Sequence, residues 1–310
     1  MPYPTSFSFY YPYIILRFEF SSYIREVWCM DSNQARKPKH TKPVVLLLTN
    51  LYNDHEDEDI FLSKCLREHF NVIISSPLDC EVVEDNADLI LLRNMWHNFD
   101  NKSEMDEMKA RFIRKGLVTY NPITGKGDNN GKGYLLELYN SGYPVIPSVD
   151  KVEDLPKLPE TDTYFAKPKY KCDNVDTFSA TKYQLSNAWL ENYIFQPYID
   201  FVGEISFYFI DREFIYAFST ERKVGMHELT EYNPTEDEIK FARRFVDWDN
   251  MECGLLRIDA CRTKGGQLLL MELEDLEPFL YLLWVTMETR NKMVDKLIMA
   301  LKKRLEKKDQ

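Results

Sequence analysis

Three rhythms of apolar and polar residues succeed one another along this chain. VVLLLTN (44–50) is a continuous apolar run bounded by turn residues, the pattern of a buried strand. DEDIFLSKCLREHF (57–70) sets Ile60, Phe61, Cys65 and Leu66 at helical spacing behind acids that suit a helix N-terminus. NVIISS, ADLILLRN, a charged helix from about Ser103 to Arg114, and LVTYNP continue the alternation. That order predicts a small parallel sheet covered by helices. Its first strand–helix turn, NLYNDHEDED, lacks GxGxxG, which disfavours a dinucleotide site.

A second unit opens at KGYLLELYNSGYPVIPS (132–148). Lys132 starts a short helix, Gly142 ends it, and Val145 and Ile146 begin a strand. TYFAKPK and NYIFQPYID are further strands, separated by a helix from roughly Ala180 to Ala188. From Phe201 the rhythm changes to period two. EISFYFID and FIYAFST, joined by Arg212 and Glu213, read as a hairpin, and PTEDEIKFARRFVDW as a capped helix. LLWVTMETRNKMVDKLIMALKKRLEKK closes the chain as an amphipathic helix with a basic end.

Between those last two helices lies LLRIDACRTKGGQLLLMELEDLEPF (255–279), a second hairpin whose strands carry acids where apolar residues are expected. With Gly265 and Gly266 as a two-residue turn, Lys264 pairs with Gln267. Counting outward sets Asp259 opposite Glu272 and Arg257 opposite Glu274. All four then share one face, and Leu256, Ile258, Leu269, Met271 and Leu273 fill the other as core. Like charges placed directly opposite destabilise a sheet by up to about 1 kcal/mol. A positive partner is therefore expected between Asp259 and Glu272, and a divalent ion with oxygen ligands fits; a solvated face that tolerates its charges is the alternative.

Composition narrows the possibilities. With 310 residues and 44% apolar content the chain can bury two or three cores. A net charge of −11 argues against a nucleic-acid partner. The six cysteines are scattered without a CxxC pair and read as free thiols in a reducing, cytoplasmic setting. Residues 1–29 are rich in aromatics and broken by Arg17 and Glu19, too short and charged for a membrane span. The expectation is a native start at Met30, with a peripheral aromatic arm as the rival.

The order of these pieces, and the acids Asp259, Glu272 and Glu274 in a hairpin followed by LEPFLYL, resemble the ATP-grasp superfamily, in particular the stand-alone ligases related to glutathione synthetase, RimK and cycloserine synthetase. The resemblance spans about residues 43 to 300. It implies an α+β / α/β chain: an N-terminal Rossmann-like (pre-ATP-grasp) parallel sheet over 43–122, then a two-subdomain ATP-grasp fold over 123–198 and 199–310, with 1–42 as an extension. It further implies ATP as cofactor and Mg²⁺, with Mn²⁺ as an alternative, on Asp259, Glu272 and Glu274.

By the same resemblance Lys132 and Lys167 grip the nucleotide phosphates. Lys167 has an independent case, since a lysine inside the apolar strand YFAKPK needs an anion. IFQPYI matches the hinge where backbone groups from Gln196 through Tyr198 to Ile199 read adenine, and Glu204 matches the acid near the ribose. Arg257 is a candidate for holding acyl-phosphate oxygens, with pairing to Glu274 as the structural alternative. Arg222 (or Lys223) is the basic residue offered to the transferring phosphoryl group. Arg93, with Trp96 and His97 beside it in RNMWH, matches a strand-end R-x-x-W motif and is expected to bind a substrate carboxylate.

The implied activity is an ADP-forming ligase that joins a small-molecule carboxylate to an amine through an acyl phosphate, with no nucleic acid or membrane partner. One departure stands out: the segment after the second lysine, KYKCDNVDTFSAT, has no glycine with which to close on phosphate. A nucleotide- or partner-binding protein without ligation, and a phosphotransferase on the same fold, remain open beside the ligase.

Overall fold

In the computed structural model, residues 42–51, 56–95, 102–170, 176–188, 190–223 and 226–308 are described. The expectations for residues 1–41, for Trp96 and His97, and for residues 171–175 lie outside them. Val44–Leu48 (β1), Asn71–Ser75 (β2), Leu89–Leu92 (β3) and Thr119–Tyr120 (β4) form the parallel sheet, in the order β2-β1-β3-β4. Helices Glu56–Leu66 (α1) and Lys102–Lys115 (α2) are its crossovers. β1 and β3 are buried at every position because side chains from both faces meet packed elements.

A second sheet contains Tyr164–Pro168 (β5), Phe178–Ala180 (β6) and Tyr193–Pro197 (β7), antiparallel with β5 in the middle. Alternation along β5 sends Tyr164, Ala166 and Pro168 inward and leaves Phe165 and Lys167 on the opposite face. Tyr164 and Ala166 join a core with Leu155, Leu158 and Leu185. The helix before this sheet, Tyr134–Asn140 (α3), starts two residues after Lys132. Val145 and Ile146 do not form a strand; Val145 makes a single bridge to Leu270. The helix expected over 180–188 is shorter, Lys182–Ser186 (α4), set by a capping box between Thr181 and Gln184.

The third sheet is antiparallel and five-stranded, in the order β10-β9-β8-β11-β12. Its strands are Phe201–Ile210 (β8), Glu213–Lys223 (β9), Met226–Tyr232 (β10), Leu255–Thr263 (β11) and Leu268–Glu274 (β12). The β8–β9 turn falls at Asp211 and Arg212, one residue earlier than the sequence suggested, and both have positive φ. That is the backbone a two-residue hairpin loop requires, and the Asp211 carboxylate accepts the Gly254 N–H at 2.9 Å to hold it. One face of the sheet packs Ile205, Phe207, Ala217, Ile258 and Leu273 against α3 and Glu236–Asp249 (α5). Part of the other face packs Tyr208, Tyr216 and Phe218 with Leu280 and Leu282, on the terminal helix Met287–Lys308 (α6) and the first sheet. No helix among the described residues is long and apolar enough to cross a membrane.

The acid-bearing hairpin reaches the expected pairing by a different route. Thr263 N donates to Gln267 O at 2.9 Å, so the loop has three residues, Lys264 to Gly266. Gly266 takes the left-handed position (φ +85°) that such loops place last. This shifts the register by one, and Ala260 pairs with Leu270, not with Met271. A bulge after Asp259 shifts it back, restoring Asp259 opposite Glu272 and Arg257 opposite Glu274. The two offsets cancel for the acids but not for the core. Leu268 and Leu270 are buried, while Leu269 and Met271, expected inside, lie half-buried on the other side.

Candidate active site

Residues paired directly across strands share a face, so the ladders place Glu204 and Ser206 of β8 with Asp259 and Cys261 of β11, and Glu272 beyond them on β12. The remaining acid, Glu274, lies next along the same side opposite Arg257. One carboxylate oxygen from each of Asp259, Glu272 and Glu274 falls within 4.8 Å of the others. Three oxygens gathered so closely, half-buried at one end of a sheet, match the donor set of Mg²⁺ or Mn²⁺.

Three cations of the chain lie among these acids. Arg257 donates to Asp259 Oδ2 at 2.9 Å, to Glu274, and to Phe279 O at 3.3 Å. Lys132 Nζ meets Glu272 Oε1 at 3.0 Å with its side chain only 7% exposed. Lys167, from β5, lies near enough to Glu272 and Glu204 for both charges to act on it. Burial works against a charged Glu272, but Lys132 and Lys167 bring its carboxyl below the usual range. Burial pushes Glu274 well up, with Asp259 and Glu272 adding to it against the pull of Arg257. Three carboxyls and three cations thus share the cluster, with Glu204 of β8 on the same face.

Lys167 is the exception among the cations. Burial lowers its pKa, and no hydrogen bond or ion pair from a described residue reaches its ammonium group. A half-buried cation that no described residue pairs, beside a cluster of acids, fits an anion that is to be bound. Replacing it by methionine removes a desolvation cost, so Lys167→Met is expected to leave the melting temperature of the ligand-free protein unchanged or raise it. The same change is expected to weaken binding of a polyphosphate anion at least tenfold, measured by calorimetry; a lower melting temperature with unchanged affinity would contradict this role.

The other predicted residues divide. Glu204 is on the site face, opposite Cys261. The Gln196 side chain is buried and donates to Ser148 Oγ at 2.9 Å, and its backbone pairs with Phe165 in the β5–β7 ladder. Tyr198 N–H is taken by Thr163 O at 2.9 Å, whereas Ile199 N–H meets no described partner. The Tyr198 ring stacks on Phe165, 6.0 Å between centroids, on the same side of β5 as Lys167. Phe165 and Cys261 are thus site-lining residues that the sequence did not single out; only their two-residue offsets from Lys167 and Asp259 signal them. Arg222 pairs with His227 in the β9–β10 ladder, and its side chain is outside the described residues.

Arg93 corrects an expectation. It is 2% exposed, and its guanidinium donates to Glu58 at 2.6 Å, Asp59 at 2.9 Å and Pro278 O at 2.7 Å. Glu58 also accepts the N–H groups of Leu280 (3.0 Å) and Leu282 (2.8 Å). Glu277 accepts the Met95 N–H. Arg93 is therefore spent inside the protein, where it fastens the LEPFLYL loop to the first sheet, and is not available to a substrate carboxylate.

Solved structures with a similar fold include ATP-grasp ligases. D-Cycloserine synthetase DcsG superposes with a TM-score of 0.68 at 19% identity, covering 84% of this chain and 99% of that one. The ATP complex of D-alanine–D-alanine ligase from Bacillus anthracis gives 0.61 at 13% identity, covering 86% and 99%. The chain has the ATP-grasp fold. The ATP-grasp ligase PsnB, complexed with a minimal precursor, Mg and ADP, gives 0.57 at 15% identity, covering 83% and 98%. No protein-family model and no curated protein sequence matches this chain. Along the chain the parallel sheet comes first, then the three-stranded sheet, then the five-stranded sheet.

Proposed function

We propose that this chain is an ATP-dependent, ADP-forming carboxylate–amine ligase that works through an acyl phosphate. The observation that carries the reading is the convergence of Asp259, Glu272 and Glu274 with Arg257, Lys132 and Lys167 at one end of the cleft. The neighbours named as ligases, with ATP or with Mg and ADP bound, support it. Asp259, Glu272 and Glu274 would hold Mg²⁺, which when bound neutralises charge on the polyphosphate. Lys132 and Lys167 bind phosphate oxygens, and Ile199 N–H and the Phe165–Tyr198 stack receive the base. Glu204 accepts the ribose hydroxyls.

A substrate carboxylate oxygen attacks the γ-phosphorus and ADP leaves. The amine then attacks the acyl carbon, phosphate departs, and the nitrogen gives up a proton. Arg257 stabilises the oxygens on which charge develops in both steps. Arg222 is the candidate for a second basic contact. The chain's contribution is placement and electrostatics; no side chain of the site is required as a nucleophile.

One observation favours a second reading: residues 169–181 contain no glycine, so phosphate closure must use side chains such as Lys169, which is paired with Asp150 at 2.9 Å. On that reading the chain binds nucleotide without ligating. Incubation with ATP, Mg²⁺ and a panel of carboxylates in the presence of hydroxylamine distinguishes them. The ligase yields hydroxamate and ADP in equal amounts. Nucleotide binding with no carboxylate-dependent ADP release supports the second reading, and a stable phosphorylated hydroxyl compound would make it a phosphotransferase.

A further inference from the structure

We infer that Asp275 is a positioning residue for Lys132, holding the segment that carries this lysine against the metal-binding strand. The inference rests on the nucleotide-site reading above, which gives Lys132 its role. Asp275 directly follows Glu274 and is fully buried. Its carboxylate accepts two backbone N–H groups of the segment before Lys132: Gly127 at 2.7 Å on Oδ2 and Asn129 at 2.9 Å on Oδ1. The exchange is reciprocal, since Asp275 N donates to Asp128 Oδ1 at 2.8 Å. Residues 125–131 thereby form a strap with its middle tied to the end of β12.

The strap is fastened elsewhere as well. Lys132 N donates to Lys169 O at 2.7 Å, next to the strand that carries Lys167. Buried Lys109 of α2 donates to Asn129 O at 2.7 Å, and Asn129 Nδ2 donates to Pro122 O at 2.9 Å. Elements packed with each of the three sheets therefore meet on residues 125–132, and contact alone requires all three glycines of 125–131; a Cβ on Gly131 would lie 2.3 Å from Lys169 O. A Cβ on Gly125 would lie 2.1 Å from Asp275 Oδ2, and one on Gly127 would lie 2.2 Å from Leu273 Cδ2. The strap passes so close to β12 that side chains are excluded, and the ties leave the Lys132 ammonium 3.0 Å from Glu272.

An aspartate buried against Asp128 and Asp249, with Lys109 as the nearby cation, is an expensive way merely to close a loop. Asp249 adds to the expense: its Oδ1 accepts Lys126 N–H at 3.3 Å, and its carboxyl lies against that of Asp275. Charge-assisted bonds to backbone N–H groups are short and directional, which sets the strap more tightly than apolar packing would. The arrangement makes geometry at Glu274 and geometry at Lys132 one variable.

The test is a double-mutant cycle on the full chain, with affinity for the non-hydrolysable analogue AMPPNP in Mg²⁺ read by calorimetry well below the melting temperature. Asp275→Asn keeps the size but turns an acceptor into a donor against the Gly127 N–H. It is expected to weaken AMPPNP binding 10- to 100-fold, and in the Lys132→Met background to weaken it no further than threefold. Should Asp275→Asn not fold, Asp128→Ala decides, with a three- to tenfold loss and the same lack of additivity. Undiminished affinity in the variant used, or a loss that multiplies with that of Lys132→Met, overturns the inference. A wild-type protein that does not bind AMPPNP overturns the underlying reading instead.

Discussion

Arg93→Met is expected to destabilise the protein by about 3–5 kcal/mol, the cost of leaving a buried charge partner uncompensated. Glu58 and Asp59 are 1% and 2% exposed, and the guanidinium is the cation that reaches both. The melting temperature should fall by several degrees. The triple change Arg93→Met with Glu58→Gln and Asp59→Asn should recover part of the loss, because amides strand no charge. A pure stability effect would confirm that Arg93 anchors the LEPFLYL loop. Unchanged melting together with a raised KM for the carboxylate would return Arg93 to the cleft.

Arg257→Met should affect both chemistry and ion binding, in opposite directions. Removing a donor to developing oxygen charge costs about 10²–10³ in kcat. It also strips the cation from between Asp259 and Glu274, leaving three acids against two lysines. The variant should therefore gain affinity for Mg²⁺ alone, measured as a larger Mg²⁺-induced rise in melting temperature than wild type shows. Turnover near the wild-type rate would remove Arg257 from the mechanism. Loss of turnover without tighter Mg²⁺ binding would mean that its cation does not screen these acids.

The sequence was most informative where a residue contradicts its surroundings. Asp259, Glu272 and Glu274 interrupt apolar strands, and Lys167 sits in YFAKPK, so local pattern alone marked them before any partner was known. The hairpin register was reached through two errors of opposite sign, a two-residue loop and an unbroken ladder. A glycine pair does not reveal which of three loop positions is left-handed, and a bulge leaves no local mark. β10 went unseen because MHELTEY is polar at the sheet edge and mixes both periodicities. The partners of Arg93 were hidden by a plausible local explanation. Glu58 and Asp59 suit a helix start, and only the fold brings them under a strand end 34 residues away. Asp275 was likewise masked by the acids before it, since nothing in ELED separates a metal ligand from an acceptor of backbone N–H groups.

Because Arg257 and Lys132 already occupy the acids of the cluster, the decisive measurement is a thermal one. In wild type, Mg²⁺ alone should shift melting little, because its acids already hold Arg257 and Lys132. ATP with Mg²⁺ gives both lysines phosphate partners and frees Glu272 for the ion. At 100 times its dissociation constant the pair should add about 2.7 kcal/mol, a shift of several degrees. That shift should vanish in Asp259→Asn with Glu272→Gln. A shift that survives the double change, or that is absent from wild type with ATP and Mg²⁺ together, would contradict the nucleotide site.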